Sequence, residues 1–277
     1  VSARGFTNPA RRTARAELRE LWDHRELLFY IAWRDIKVRY KQAALGVAWI
    51  VIQPIVSIAI FSLLFGRLLK VPSGNVPYPV FATAALLPWN YFAGALTRAS
   101  GSLVASASLY TKIYFPRVVI PISAILGGLL DLAISFAVLI GLMLIYGVSP
   151  SLLVLTLPAF ILLASMAALA FSLWLSALNV RYRDVGHLIP FLVQVWMYAT
   201  PVVYGADLIP QRWRFLLGLN PMTTVTEGFR WALVGGPPPG STTSPIVVGG
   251  SLMLVCVVLL GGLAYFRHTE RTFADVV

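Results

Sequence analysis

The sequence predicts an all-α polytopic membrane protein: six transmembrane helices, an N-terminal amphipathic interface helix before them, and short re-entrant helices at the outer face between spans five and six. Three observations predict it. Of 277 residues, 58% are hydrophobic and only 12% charged, about half the charge of a soluble domain. No Asp, Glu, Lys or Arg occurs in residues 42–66, 71–97, 132–180, 185–206 or 231–266, and roughly 20 apolar residues cross a bilayer core as a helix. Cutting these runs at their turns gives six spans, and Lys and Arg then divide seventeen to five between the two sides. Cations mark the cytoplasmic side, so both termini are expected there.

Residues 1–44 form the N-terminal tail and the interface helix. Leu18, Leu21, Trp22, Leu28, Phe29, Ala32, Trp33 and Ile36 recur at helical spacing, with Arg and Glu opposite. That pattern suits a helix lying in the membrane interface or packed on a partner. Ten of the 22 cations lie in residues 1–41, where they can meet anionic headgroups. The net charge of +11 therefore speaks for a membrane surface and not for nucleic acid, since no basic block is interleaved with base-stacking aromatics. The first apolar run begins only after about forty polar and amphipathic residues, so no cleavable signal is expected.

The six-span domain covers 45–266, and residues 267–277 form a cytoplasmic tail. Span one, about 45–69, ends at Arg67 and Lys70. Span two, about 80–97, contains LLPWNYF, where Pro88 should kink the helix. A polar, small-residue stretch follows over 98–117. Spans three and four, about 121–146 and 152–178, are parted by the YGVSPS turn. The basic link NVRYRDVGH leads to span five, about 188–205, and span six follows at about 245–266. Residues 206–236 are too short for two full spans. Asn220–Pro221 reads as an N-cap followed by proline at the first helical position, and Glu227 and Arg230 can pair at i, i+3. Two short helices dipping back from the outer face are expected, with an ordinary outer hairpin as the alternative.

Chemistry is sparse. No Gly-Lys dipeptide occurs, so the phosphate-cradling loop of nucleotide hydrolases is absent. No Ser/His/Asp or paired-carboxylate set gathers on one side of the membrane, so no catalytic residue is assigned. Cys256 stands alone, and His24, His187 and His268 lack metal-ligand spacing; no metal site is expected. Asp131 is the exception, about ten residues into span three and so near mid-bilayer. An acid there costs roughly 2.5–3.5 kcal/mol, and no cation has an obvious place at that depth. It reads either as a hydrogen-bonded acid fixing helix packing beside Gly127 and Gly128, or as a proton relay. On the cytoplasmic side, Tyr110, Thr111, Lys112, Ile113, Tyr114, Phe115, Pro116 and Arg117 make an aromatic and basic knob. Such a knob suits a protein partner or a lipid-facing elbow.

The ordered series WRDIKVRYKQAALGVAWIVIQP, LLPWNYF, YTKIYFPRVVIP, LNVRYRDVGH, PVVYG and LNPM resembles the type-2 ABC exporter permeases for O-antigen and teichoic-acid polysaccharides, from about Leu27 to Gly236. The resemblance implies a bacterial inner-membrane permease that moves a lipid-linked polysaccharide. It implies a homodimer joined to two separate nucleotide-binding subunits, which would bind ATP and Mg, with no cofactor in this chain. Residues 110–117 look like the coupling helix to the ATPase, and Leu45–Gly46 would sit at the cytoplasmic mouth. Trp213, Asn220, Pro221, Glu227 and Arg230 fall on the outer gate helices. A lipid-linked glycan presents a phosphate or diphosphate, which Arg34, Lys37, Arg39 and Lys41 could attract while Trp33 and Tyr40 orient lipid or sugar. Aromatic faces suit a sliding glycan, and Trp49, Trp89, Tyr91, Phe92, Trp196, Tyr198 and Tyr204 are the candidates, or else interfacial belt residues. Tyr198 is favoured among them. An exporter of a small drug or lipid, and a proton-coupled secondary transporter centred on Asp131, are the alternatives.

Overall fold

The computed structural model describes residues 22–41, 48–74, 76–106, 115–236 and 244–270, apart from the side chains of Trp49 and Ile50. The described residues hold helices and no strands. Helix α1 (Arg25–Lys41) carries Glu26 in its first turn and Arg39 and Lys41 in its last, which complements the helix dipole at both ends. Ile31 and Ala32 are its buried residues. Phe29 and Trp33 face away from the chain and stack on each other at 6.4 Å. The aliphatic and aromatic residues expected on one face thus divide between two.

Helix α2 (Ala48–Phe61) continues through a π-helical turn at Ser62–Leu68. Lys70 then adopts a positive φ of 48°, uncommon for a non-glycine residue, and reverses the chain. Helix α3 (Tyr78–Ala105) is the hub. Most of its surface is buried, from Val80 to Leu103, with Asn90, Thr97 and Val104 exposed along one stripe, and it packs against α2, α4 (Val119–Leu126), α5 (Gly128–Ile145), α6 (Leu157–Arg181), α7 (Val185–Tyr198) and α9 (Pro221–Val234). Close approach to α6 rests on small residues. Ala84, Ala85, Ala95 and Ala99 on one helix and Ala164, Ala167, Ala168 and Ala170 on the other are all buried, the composition that lets helices pack tightly in lipid.

Among the described residues, four stretches are long and apolar enough to cross a membrane: Val51–Leu68, Val119–Ile145, Leu152–Arg181 and Pro245–Glu270. The last is α10, which packs along α6; Trp174 stacks on Tyr265 at 5.0 Å and donates to the Val258 carbonyl. Span two was expected to stop at residue 97, but α3 runs on to Ala105. The charge of Arg98 does not end it, because that side chain finds a partner inside the fold. Span three is interrupted at Gly127, between α4 and α5. Span five was expected over 188–205, yet α7 ends at Tyr198 and is about 21 Å long. Pro201 disfavours helix at the residue before it, and the carbonyls beyond are taken up by Arg230.

The short helices at the other face are α8 (Arg214–Leu219) and α9. Asn220 caps α9 through its side chain, which accepts from the Met222 N–H, with Pro221 at the first helical position. Gly235, at φ 82°, closes the helix in the left-handed conformation, which glycine adopts without steric cost. Two cores result. The larger centres on α3, α6 and α9, and the smaller joins Ile31 of α1 to Leu103, Phe115, Ile120, Leu173 and Phe266.

Candidate functional site

The last turn of α1, the lower half of α3 and the first turn of α5 converge on Asp131. Arg39 Nη1 lies 2.7 Å from Asp131 Oδ2, and Arg98 Nη1 lies 3.5 Å from the same oxygen. The Tyr40 hydroxyl donates to Oδ1. Asp131 sits in the first turn of α5, where the helix dipole favours an anion. Two glycines make the room: a Cβ on Gly128 would meet Arg98 Nη2 at 2.3 Å, and one on Gly94 would meet Nη1 at 2.8 Å. Arg98 Nε is buried and has no hydrogen-bond partner among the described residues. The cluster holds two guanidiniums and one carboxylate, so it carries an excess of positive charge. Burial, and then the bond to Asp131, push the Tyr40 phenol up to about 12.

This corrects the expectation that no cation reaches Asp131. The interface helix brings Arg39 and Tyr40 to it, and Arg98 arrives from span two, where the sequence placed only the end of an apolar run. Asp131 is thus an ion-paired and hydrogen-bonded acid.

The other expected mouth residues are dispersed. Arg34 forks onto the adjacent Asp35, at 2.8 and 3.1 Å. Lys37 stands over the Trp33 ring at 5.5 Å, and Lys41 is exposed at the helix end. Leu45 and Gly46 lie outside the described residues, as do Tyr110, Thr111, Lys112, Ile113 and Tyr114 of the expected coupling helix. At that helix's end, Phe115 is buried in the smaller core. Pro116 precedes α4, and Arg117 Nη1 donates to the Glu270 carbonyl at 2.7 Å. That bond ties the segment to the C-terminus of α10, a connection that no local pattern signals.

The aromatic candidates separate by burial. Trp89 and Phe92 are buried in the larger core, and Tyr91 bonds Ser165 Oγ at 2.6 Å from a buried position. These rings pack between helices and present no open face, because they lie on the buried sides of α3. Trp196 is wedged edge-on between Phe92 and Phe171, at 5.0 and 4.8 Å, and its Nε1 donates to Asn220 Oδ1 at 3.0 Å. Tyr204 donates to the Tyr198 carbonyl, and Tyr198 is 63% exposed. The Trp49 side chain lies outside the described set.

A second polar centre holds the opposite face together. Arg230 is 2% exposed and lies 3.7 Å over the Phe81 ring. Its guanidinium donates to the carbonyls of Phe81, Pro201, Val202 and Tyr204. Asn220 Nδ2 donates to Thr200 Oγ1. Together with the Tyr78 hydroxyl on the Val203 carbonyl, these bonds clamp residues 200–204 to α3 and α9. Glu227 is buried one turn before Arg230, and Trp213 is half exposed. The i, i+3 spacing puts Glu227 close enough to act on the Arg230 charge, while the fork of carbonyls depends on where α7 ends, which no local pattern carries.

The ABC-2 type transporter family matches residues 26–234. The chain is 30% identical over 212 residues to an O-antigen export system permease protein of Klebsiella pneumoniae, covering 76% of this chain and 81% of that one. It is 30% identical to the protein of the same description from Myxococcus xanthus, over 77% and 82% of the two chains. A polysialic acid transport protein of Escherichia coli is 27% identical over 73% of this chain and 79% of its own length.

Proposed function

We propose, from the premise that this chain belongs to the ABC-2 type transporter family, that it is the membrane permease of an ATP-driven exporter of a cell-surface polysaccharide. The likeness to O-antigen and polysialic acid transport proteins over about three quarters of the chain is the observation that carries this reading. ATP hydrolysis belongs to a separate subunit, in keeping with the missing phosphate loop in this sequence. Two copies of this chain with two ATPase subunits make the working assembly, gripped at residues 110–117, in the inner membrane of a bacterium. Six spans put both termini in the cytoplasm, supported by the seventeen-to-five division of Lys and Arg. In that layout α3 and α7 complete the four apolar spans.

On this orientation the Asp131 cluster lies at the cytoplasmic mouth. A phosphate arriving on a lipid carrier meets Lys37, Lys41 and the excess charge of Arg39 and Arg98, and guanidinium forks match its oxygens. The clamp around Arg230 lies at the outer end, where α8 and α9 act as gate helices. The test is export in proteoliposomes holding this chain and its ATPase: glycan should appear on the far side only with hydrolysable ATP. Accumulation of glycan independent of the ATPase overturns the assignment.

A further inference from the structure

Asn90 is exposed on α3, although its neighbours Trp89 and Tyr91 are buried. Among the described residues its carboxamide has no hydrogen-bond partner. The same holds for Gln53, exposed on α2 one turn before Ser57. Ser57, Thr83, Asn90 and Ser135 line one groove among α2, α3 and α5. An amide with no partner is costly in hydrocarbon, so this side of the hub helix meets something polar. The groove also has a direction. Ser135 lies one helical turn from Asp131 on the same face of α5, and Asn90 lies eight residues, about 12 Å, along α3 from Arg98. An uncharged groove, with polar groups set among Pro54, Ile58, Leu86, Leu87 and Val138, therefore begins where the cationic cluster ends.

We infer that this groove is a sugar-contact surface of the conduit, in which Asn90, Ser57 and Ser135 exchange hydrogen bonds with glycan hydroxyls; the inference rests on the polysaccharide reading above. Amides and hydroxyls donate and accept, so each meets a sugar hydroxyl in either sense. Without charge, none holds a sugar long enough to stop it moving. The rings of Trp89, Tyr91 and Phe92 support this surface from behind by fixing the rotation of α3. Asn90 is the specificity element, as the residue that brings an open amide to the groove.

The test uses the complete complex of this chain and its ATPase in proteoliposomes, with the cognate glycan. Asn90→Leu should lower export roughly three- to tenfold, the effect of one lost hydrogen bond, while the variant purifies in the same assembly and yield. Asn90→Gln should retain at least half of wild-type export. In a chain carrying Cys256→Ser and Asn90→Cys, a water-soluble maleimide should label position 90, more slowly when glycan is present. Full export by Asn90→Leu, absence of labelling, or dissociation of the Asn90→Leu complex into single copies overturns the inference, the last by making the groove a contact between copies. A wild-type complex that moves no glycan overturns both readings; a wild type and an Asn90→Leu variant that export equally overturn only this one.

Discussion

At the scale of single residues, Asp131 decides how the interface helix is held. It is the shared partner of Arg39, Arg98 and Tyr40, so removing it frees three side chains at once. The Arg39 and Asp131 side chains are 31% and 26% exposed, so water screens part of their attraction. A double-mutant cycle of Arg39→Gln and Asp131→Asn should give a coupling of about 1 kcal/mol, read by thermal unfolding of the purified chain. A coupling near zero contradicts the tie. Tyr40 adds a pH signature. Its phenol is raised from 10.0 to about 12 in the fold, so its contribution is fully present below pH 10 and is lost as pH rises through 12. Tyr40→Phe should flatten the loss of stability between those values. A wild-type and a Tyr40→Phe chain with the same alkaline profile would refute the bond.

At the scale of elements, glycines and one arginine set how helices meet. Gly128→Ala places a Cβ 2.3 Å from Arg98 Nη2, which forces the guanidinium out of its slot or α5 away from α3. Export should fall severalfold, with α1 released to added protease; unchanged export and protection contradict the slot. Arg230→Met leaves four carbonyls without their donor and should cost on the order of 3–5 kcal/mol in stability, measured as a lowered Tm. Unchanged melting would mean the clamp is dispensable. The apolar elements were legible in the sequence because charge is absent from them: α2, α6 and α10 fall where the uncharged runs put them. Asn220 and Pro221 marked the start of α9 through local chemistry alone. What escaped is non-local. The extension of α3 past Arg98 depends on an acid 33 positions later, and the early end of α7 depends on Arg230. Burial of Trp89 and Phe92 depends on α3 being surrounded, which no local pattern carries.

At the scale of the whole molecule, the polar centres lie at two ends of one hub. Arg98 and Asp131 anchor one end of α3, the Arg230 fork reaches Phe81 at the other, and Asn90 opens a groove between them. A helix held at both ends transmits a displacement along its length, because a packed helix moves as a unit and does not compress. Pulling on α1, or on the Phe115–Arg117 segment bound to α10, therefore has a route toward α9. The mechanical account requires that the pull come from outside the chain. The most direct measurement is glycan translocation in proteoliposomes containing this chain alone, or this chain with its ATPase and ATP. The account predicts translocation only in the second case; sustained transport by the chain alone would contradict it.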